Sequence, residues 1–494
     1  MSTPSFAEHL AGLDDASLTA LLQARADTRI GPAPRGFTQL AQRFGHPSSL
    51  GAAMQHLDRD SVVTGHAIAV LGPAASVPSV AQLLSAPQQL VLDALAQLTA
   101  QGLAWEHAGM LHLPESLEEH WLTEIGGGRS ADKVLQAMRL EDVQVAAFGL
   151  GFPTTGLRKN QLTAHIVTAL SDPRTLAGTL ASLPEPARNR LDELLAGYDD
   201  YSYFYYGGSR PIGAGDPTEK LIKAGLVFRV NHRPELPREV AVAAWLGRLT
   251  QPLTGRPAIA RTDTDQATVR PSAQAAAQEA LRELTALLDE AHTIPIPALK
   301  KGGVGPRERK KLAARLSIPE NSMALWIDLA YSAGLLDYTE SGYAPTDTYP
   351  GWRAEQPGRR WAVLADTWFT LDHAPTNRQI DGDKELAPPL PLGSMAGAMR
   401  RALLRAARGG ASVRETGAQL DWFCPMHGYD AQQRELRVAA AVAEARLLGV
   451  VAGDVLTELG EHLTAVGTAA DDRVAELAQR CAPLLPEASC SLIV

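Results

Sequence analysis

Seven cations fall in the sixteen residues from Lys300 to Arg315: Lys300, Lys301, Arg307, Arg309, Lys310, Lys311 and Arg315. Four more, Arg400, Arg401, Arg405 and Arg408, recur at a spacing that gives one face of a helix a basic stripe. Ammonium and guanidinium groups at this density can neutralise phosphates, so both stretches are candidate nucleic-acid contacts. A solvated helix face is the commoner outcome for any single charge run. Two such runs in a chain of net charge −9 favour local phosphate-binding patches over a surface coated with positive charge.

Other chemistries find less support. A phosphate-cradling loop of the G-x-x-x-x-G-K-[ST] type needs a lysine directly after glycine, and the chain has no Gly-Lys dipeptide. No DExH-type acidic motif follows a strand, so no ATPase site is expected. The glycines Gly302, Gly303 and Gly305 before a basic helix read as a turn. Cys424 and His427 have a metal-compatible spacing, but structural zinc takes four ligands from paired clusters. Cys481 and Cys490 have no histidine nearby, and neither a metal nor a cofactor is expected. The acidic pairs Asp199-Asp200 and Asp471-Asp472 lack a companion to tune them and read as turns or helix starts. No serine, histidine and aspartate can be grouped by spacing alone, and the expectation is a non-enzymatic protein.

At 494 residues the chain should hold roughly three to five domains. No apolar run approaches the ~20 residues of a membrane-crossing helix. The N-terminus lacks the basic start and apolar core of a signal peptide. Three cysteines in so long a chain suit a reducing compartment. These features predict a soluble, cytoplasmic, mostly helical protein.

The elements that would position the basic residues repeat. Leu312–Leu316 reads as a short helix, Ser317 and Pro319 as a turn, and a second helix begins near Glu320 with a wide apolar face. Gly334 is placed for a helix C-cap, and Leu335–Thr339, Glu340–Gly342 and Tyr343–Pro345 read as a hairpin. Val80–Ala104 aligns on Leu312–Leu336 without a gap, matching Ala81 with Ala313, Leu84 with Leu316, Ser85 with Ser317, Pro87 with Pro319 and Gly102 with Gly334. A looser copy ends at Lys220–Pro237, with Gly225 in the matching place, and a still looser one is Ala431–Thr464, where Gly449 opens the wing. Self-similarity of this kind predicts a mainly α protein with small β-wings, built from four tandem winged-helix-like units.

The expected boundaries are 1–125 for the N-terminal helices and first unit, 181–250 for the second, 273–374 for the third and 393–494 for the fourth. A linker is expected at 251–272. Phe6–Ala24 reads as amphipathic, with Asp14-Asp15 suited to a helix start, and Pro375–Pro391 as a loop. Between units, 126–180 holds helix Leu140–Leu150, the turn Gly151–Gly156 and helix Arg158–Leu170. Leu150, Gly151, Pro153, Thr155, Gly156, Lys159, Leu162 and Ile166 resemble the SAP motif. That resemblance implies DNA contact by a helix N-terminus with Arg158 and Lys159; a plain packing hairpin is the alternative. The tyrosine-rich stretch around Tyr201–Tyr206 could stack on bases, but aromatic clusters more often serve burial.

Taken in order, the pieces resemble an actinobacterial helicase-associated family related to XPB-type helicases. The matching residues are Leu236–Val240, Gly302–Leu312 and Trp361–Ala365 with Trp368. The resemblance implies a non-catalytic DNA-binding or adaptor protein in DNA repair or nucleoid metabolism. DNA would be bound through phosphates and a helicase or other repair protein would be a partner. It also implies a longer protein continuing past Leu492–Val494. The rivals are a winged-helix transcription regulator and the accessory part of a helicase. Base reading needs Arg, Lys, Asn or Gln on the groove helix. Glu320–Ala333 has no Arg or Lys, so non-specific contact is expected.

Overall fold

The computed structural model describes residues 5–196, 216–231, 233–249, 251–262, 264–378, 380–381, 384–390, 394–466 and 473–486, with backbone alone at 174, 175, 380, 381 and 384. The tyrosine-rich stretch, both acidic pairs, Cys490 and Leu492–Val494 lie outside these residues. The chain divides into two compact units: Met1–Gly12, Pro34–Leu50 and Asp60–Gly255 form the first, and Leu13–Ala33, Gly51–Arg59 and Arg256–Val494 the second. Both are mainly helical, and every sheet among the described residues is a two-stranded antiparallel hairpin.

Four of these hairpins are launched the same way. The helices Gln88–Ala100, Pro217–Lys223, Met323–Ser332 and Ala431–Leu447 are each followed by a glycine in the left-handed region. Those glycines are Gly102, Gly225, Gly334 and Gly449, with φ of 63°, 70°, 69° and 71°. In every case the next amide reaches back to close the helix: Leu103 to Leu98 O, Leu226 to Leu221 O, Leu335 to Ala330 O and Val450 to Ala445 O, at 2.8–3.0 Å. This is the Schellman closure, and glycine is favoured because it lacks the Cβ that positive φ crowds. The strands follow at once: Trp105–His107 with Met110–His112, Phe228–Val230 with Arg233–Glu235, Leu336–Thr339 with Gly342–Pro345, and Val451–Ala452 with Val455–Leu456.

The ungapped alignment extends one helix upstream. Val77–Leu84 and Pro306–Leu316 both end on a left-handed serine, Ser85 at φ 52° and Ser317 at φ 53°. Ala86 then bonds Ala81 O and Ile318 bonds Ala313 O. Threonines close the third and fourth hairpins alike. Thr346 and Thr457 each donate Oγ1 at 2.6 Å to the carbonyl of the launching glycine, Gly334 and Gly449.

The first unit packs Val143, Ala146, Leu162, Ile166, Leu221, Phe228 and Val240 into one core. The amphipathic stretch Phe6–Ala24 forms two helices, Phe6–Gly12 in this unit and Asp15–Ala24 in the second. Asp14 accepts from Ser17 N at 2.7 Å and caps the second piece, at the acidic pair suited to a helix start.

The second unit is built on the 28-residue helix Gln266–Thr293. Ala273, Ala277, Ala280, Leu284, Leu287, Leu288 and Ala291 line its buried stripe. This helix takes in 266–272 of the expected linker, Pro271 included. Asp265 caps it by accepting from Ala267 N, and Pro271, inside the helix, forgoes the one amide bond that its nitrogen would donate to the preceding turn. Helix Pro357–Thr370 buries Trp361, Leu364, Trp368 and Phe369. The stretch expected to be pure loop after Pro375 carries a small hairpin, Ile380–Asp381 with Lys384–Glu385. No helix among the described residues is long and apolar enough to cross a membrane.

Candidate nucleic-acid interface

The Lys300–Arg315 stretch begins as a loop that its neighbours hold on three sides. Leu299 N donates to Gly303 O and Gly302 N to Leu299 O, both at 2.8 Å, closing a tight turn with Lys300 and Lys301 at its tip. Gly303 N donates to the Tyr343 hydroxyl at 3.0 Å, and Ile296 exchanges both backbone bonds with Tyr343 on the third hairpin. Val304 N donates to Pro388 O at 2.6 Å. Gly303 has φ 76°, and a Cβ there would lie 2.7 Å from Ala387 O, so backbone closeness excludes a side chain. Helix Pro306–Leu316 then starts with Gly305 as N-cap and Pro306 in its first turn.

The seven cations part into two groups. Arg309, 12% exposed, pairs with Glu385 at 2.9 Å, and Arg315 pairs with Glu290. Lys311, 69% exposed, pairs with Glu308 at 3.3 Å, a contact worth little in water. Lys300, Lys301, Arg307 and Lys310 are exposed. None of these four has a carboxylate within ion-pair distance among the described residues.

The other nominated residues need correction. Arg400 is a core residue, 1% exposed, that donates to His373 O at 3.0 Å and to Leu371 O at 2.5 Å and lies over the Trp368 ring. Arg401 is half-buried and reaches Thr370 O and Gln55 Oε1 at 3.4 and 3.5 Å. Arg405 faces His56 Nδ1 at 3.3 Å and the Phe369 ring. Burial pushes Arg400 and Arg405 down to about 10. The basic stripe on Ala396–Ala406 therefore faces inward, and only Arg408 beyond it is exposed. Spacing defined the stripe correctly but carries no information on which way it faces. The carboxylate nearest Arg400, Glu444, arrives from a distant helix, with 3.9 Å between them.

Lys159 is likewise spoken for. Its ammonium donates to Gln136 O at 2.9 Å and Met138 O at 2.7 Å, capping the end of helix Ala131–Ala137. Arg158 beside it is exposed at the start of helix Lys159–Leu170. The turn joining this helix to Leu140–Gly149 uses Gly151 and Gly156 at φ 85° and 79°, and Phe152 stacks on His165. Cys424 is buried, its thiol pushed up to about 11 by burial. His427 uses both ring nitrogens, on Asp421 at 2.8 Å and Tyr429 N at 2.9 Å. Among the described residues no three His, Cys, Asp or Glu side chains form a group that could hold a metal.

The loop's support was not foreseen. Asp328, His373 and Arg378 form a buried cluster: Arg378 pairs with Asp328, and His373 Nε2 lies 3.0 Å from the same carboxylate. Arg378 also donates at 2.6 Å to Leu386 O and to Leu390 O, gripping the 386–390 segment whose Pro388 and Ala387 touch the basic loop. Asp328 lies 45 and 50 residues from His373 and Arg378, so no local signal could bring it to that pair.

His56 gives a pH prediction. Burial foremost, then repulsion from Arg405, Arg401 and Arg25, lowers its pKa from 6.5 to about 4. A depressed folded pKa means the unfolded chain takes up the proton first. The contribution is complete above pH 6.5 and is lost as pH falls through about 4. The free energy of unfolding, from denaturant titrations followed down this window, should fall by up to about 1.4 kcal/mol per pH unit. His56→Gln should remove that part of the slope.

Comparison with known protein families, curated proteins and solved structures gave no match to this chain.

Proposed function

We propose that the second unit binds DNA through phosphates, without sequence preference, and that the protein is a non-catalytic adaptor of the helicase-associated kind. The observation that carries this reading is the set of exposed cations Lys300, Lys301, Arg307 and Lys310, unpaired among the described residues. They lie on a pinned loop and the first turns of an 11-residue helix. In a chain of net charge −9, such a patch concentrates attraction for an anionic polymer in one place. The winged-helix-like reading of the units and the role in repair or nucleoid metabolism belong to the same proposal, as does a helicase partner.

A transcription regulator fits less well. Met323 to Ala330 are all buried, which leaves the helix that would enter a groove little to read bases with. The test uses duplexes of two unrelated sequences. Wild type should bind both alike, and replacing Lys300, Lys301, Arg307 and Lys310 with alanine should weaken both to the same extent. Weakening on one sequence alone would favour base reading and a regulator.

A further inference from the structure

The third hairpin places aromatic rings beside the basic loop. Tyr338, 58% exposed, and Tyr331, 37% exposed, both pack against the buried ring of Tyr343. Their centroids lie 5.4 and 6.3 Å from it, at interplanar angles of 66° and 83°. Tyr343 is also the residue whose hydroxyl accepts from Gly303 N at 3.0 Å, in the turn that carries Lys300 and Lys301. One buried tyrosine thus packs against two exposed rings and is bonded to the lysine turn. Neither exposed hydroxyl has a protein partner among the described residues.

Duplex DNA offers such a surface only its phosphates, because its bases are stacked inside. A single strand offers both phosphates and open base faces. Cationic grooves with aromatic platforms suit single strands because every base has a π-face. We infer that this site takes single-stranded nucleic acid, with a base stacked on Tyr338, a neighbouring base near Tyr331, and the connecting phosphates on Lys300 and Lys301. The inference rests on the phosphate-binding reading of the same site and adds the preferred form of the polymer. Tyr343 supplies preorganisation, holding the rings where a base must arrive and lowering the entropy lost on binding.

The experiment measures anisotropy of labelled oligothymidylate, oligouridylate and a duplex of the same length with the full chain. Wild type should bind the single strands more tightly than the duplex. Tyr338→Ala should weaken single-strand binding by about fivefold to a hundredfold, the equivalent of one lost stack. It should leave duplex binding and the salt dependence unchanged, because no phosphate contact is removed. Tyr338→Phe should bind like wild type, since stacking needs the ring and not the hydroxyl. Tyr338 is exposed, so these variants should fold; a circular-dichroism melt matching wild type checks this. A preference for the ribo- over the deoxy-oligomer would identify RNA as the polymer and keep the stacking assignment. If Tyr338→Ala binds single strands as wild type does while Lys300→Ala with Lys301→Ala weakens all three ligands, stacking is excluded and phosphate binding stands. If wild type binds none of the three, both readings fail.

Discussion

Replacing Arg378 with alanine should cost the second unit about 3–5 kcal/mol, the range for breaking a buried ion pair by removing one partner. Arg378 is 5% exposed and Asp328 1%, so neither charge can turn to water. Truncation leaves the Asp328 carboxylate with His373 alone and frees the carbonyls of Leu386 and Leu390. At roughly 2–4 °C per kcal/mol for a unit of this size, melting should fall by about 6–20 °C. The double variant Arg378→Met with Asp328→Leu should recover part of this, since removing both charges also removes their desolvation. A single-variant loss under about 1 kcal/mol would mean the pair is wet, and that the 386–390 segment does not depend on it. The consequence reaches the interface, because that segment holds Gly303 and Val304 behind Lys300 and Lys301.

The launching glycines give the second large effect, and they differ in a way that separates its causes. Gly449 has φ +71°, and a Cβ there would lie 2.3 Å from Ala273 O on the long helix. Gly334 has nearly the same φ, +69°, with nothing within 4 Å. Gly334→Ala should therefore cost only the left-handed strain, about 1–2 kcal/mol. Gly449→Ala adds the displacement of packed backbone, about 1–3 kcal/mol more for overpacking. Denaturation midpoints at unchanged slope would measure the difference. Equal losses would show that helix Gln266–Thr293 yields freely at Ala273, against the close packing of spine and fourth hairpin.

The repeated launch was legible because its determinants are local. A glycine after an apolar helix and two short β-prone runs is enough to specify closure and hairpin, which is why Gly102, Gly225, Gly334 and Gly449 could be aligned from sequence. The left-handed serines Ser85 and Ser317 were present in the same alignment. What stayed hidden depends on distant partners. The Arg400 stripe faces inward because Glu444 and the carbonyls of Leu371 and His373 receive its guanidinium. Lys159 turns away from solvent because a helix end happens to need a cap. Four cations between Lys300 and Lys310 stay exposed because the available carboxylates, Glu385, Glu290 and Glu308, are taken by others. Tyr338 was read only as a wing residue, since its significance comes from the Tyr343 bond to the loop.

The central claim is that these four cations meet phosphates, and a salt titration of duplex binding tests it most directly. Each phosphate contact on duplex DNA contributes about 0.9 to the slope of log affinity against log salt. With Lys300, Lys301, Arg307 and Lys310 replaced by alanine, the slope should flatten by up to about 3.6. Arg400→Met, which removes a buried cation, should leave the slope at the wild-type value where the protein folds. Identical slopes for wild type and the quadruple variant would contradict the account and return the patch to a solvated helix face.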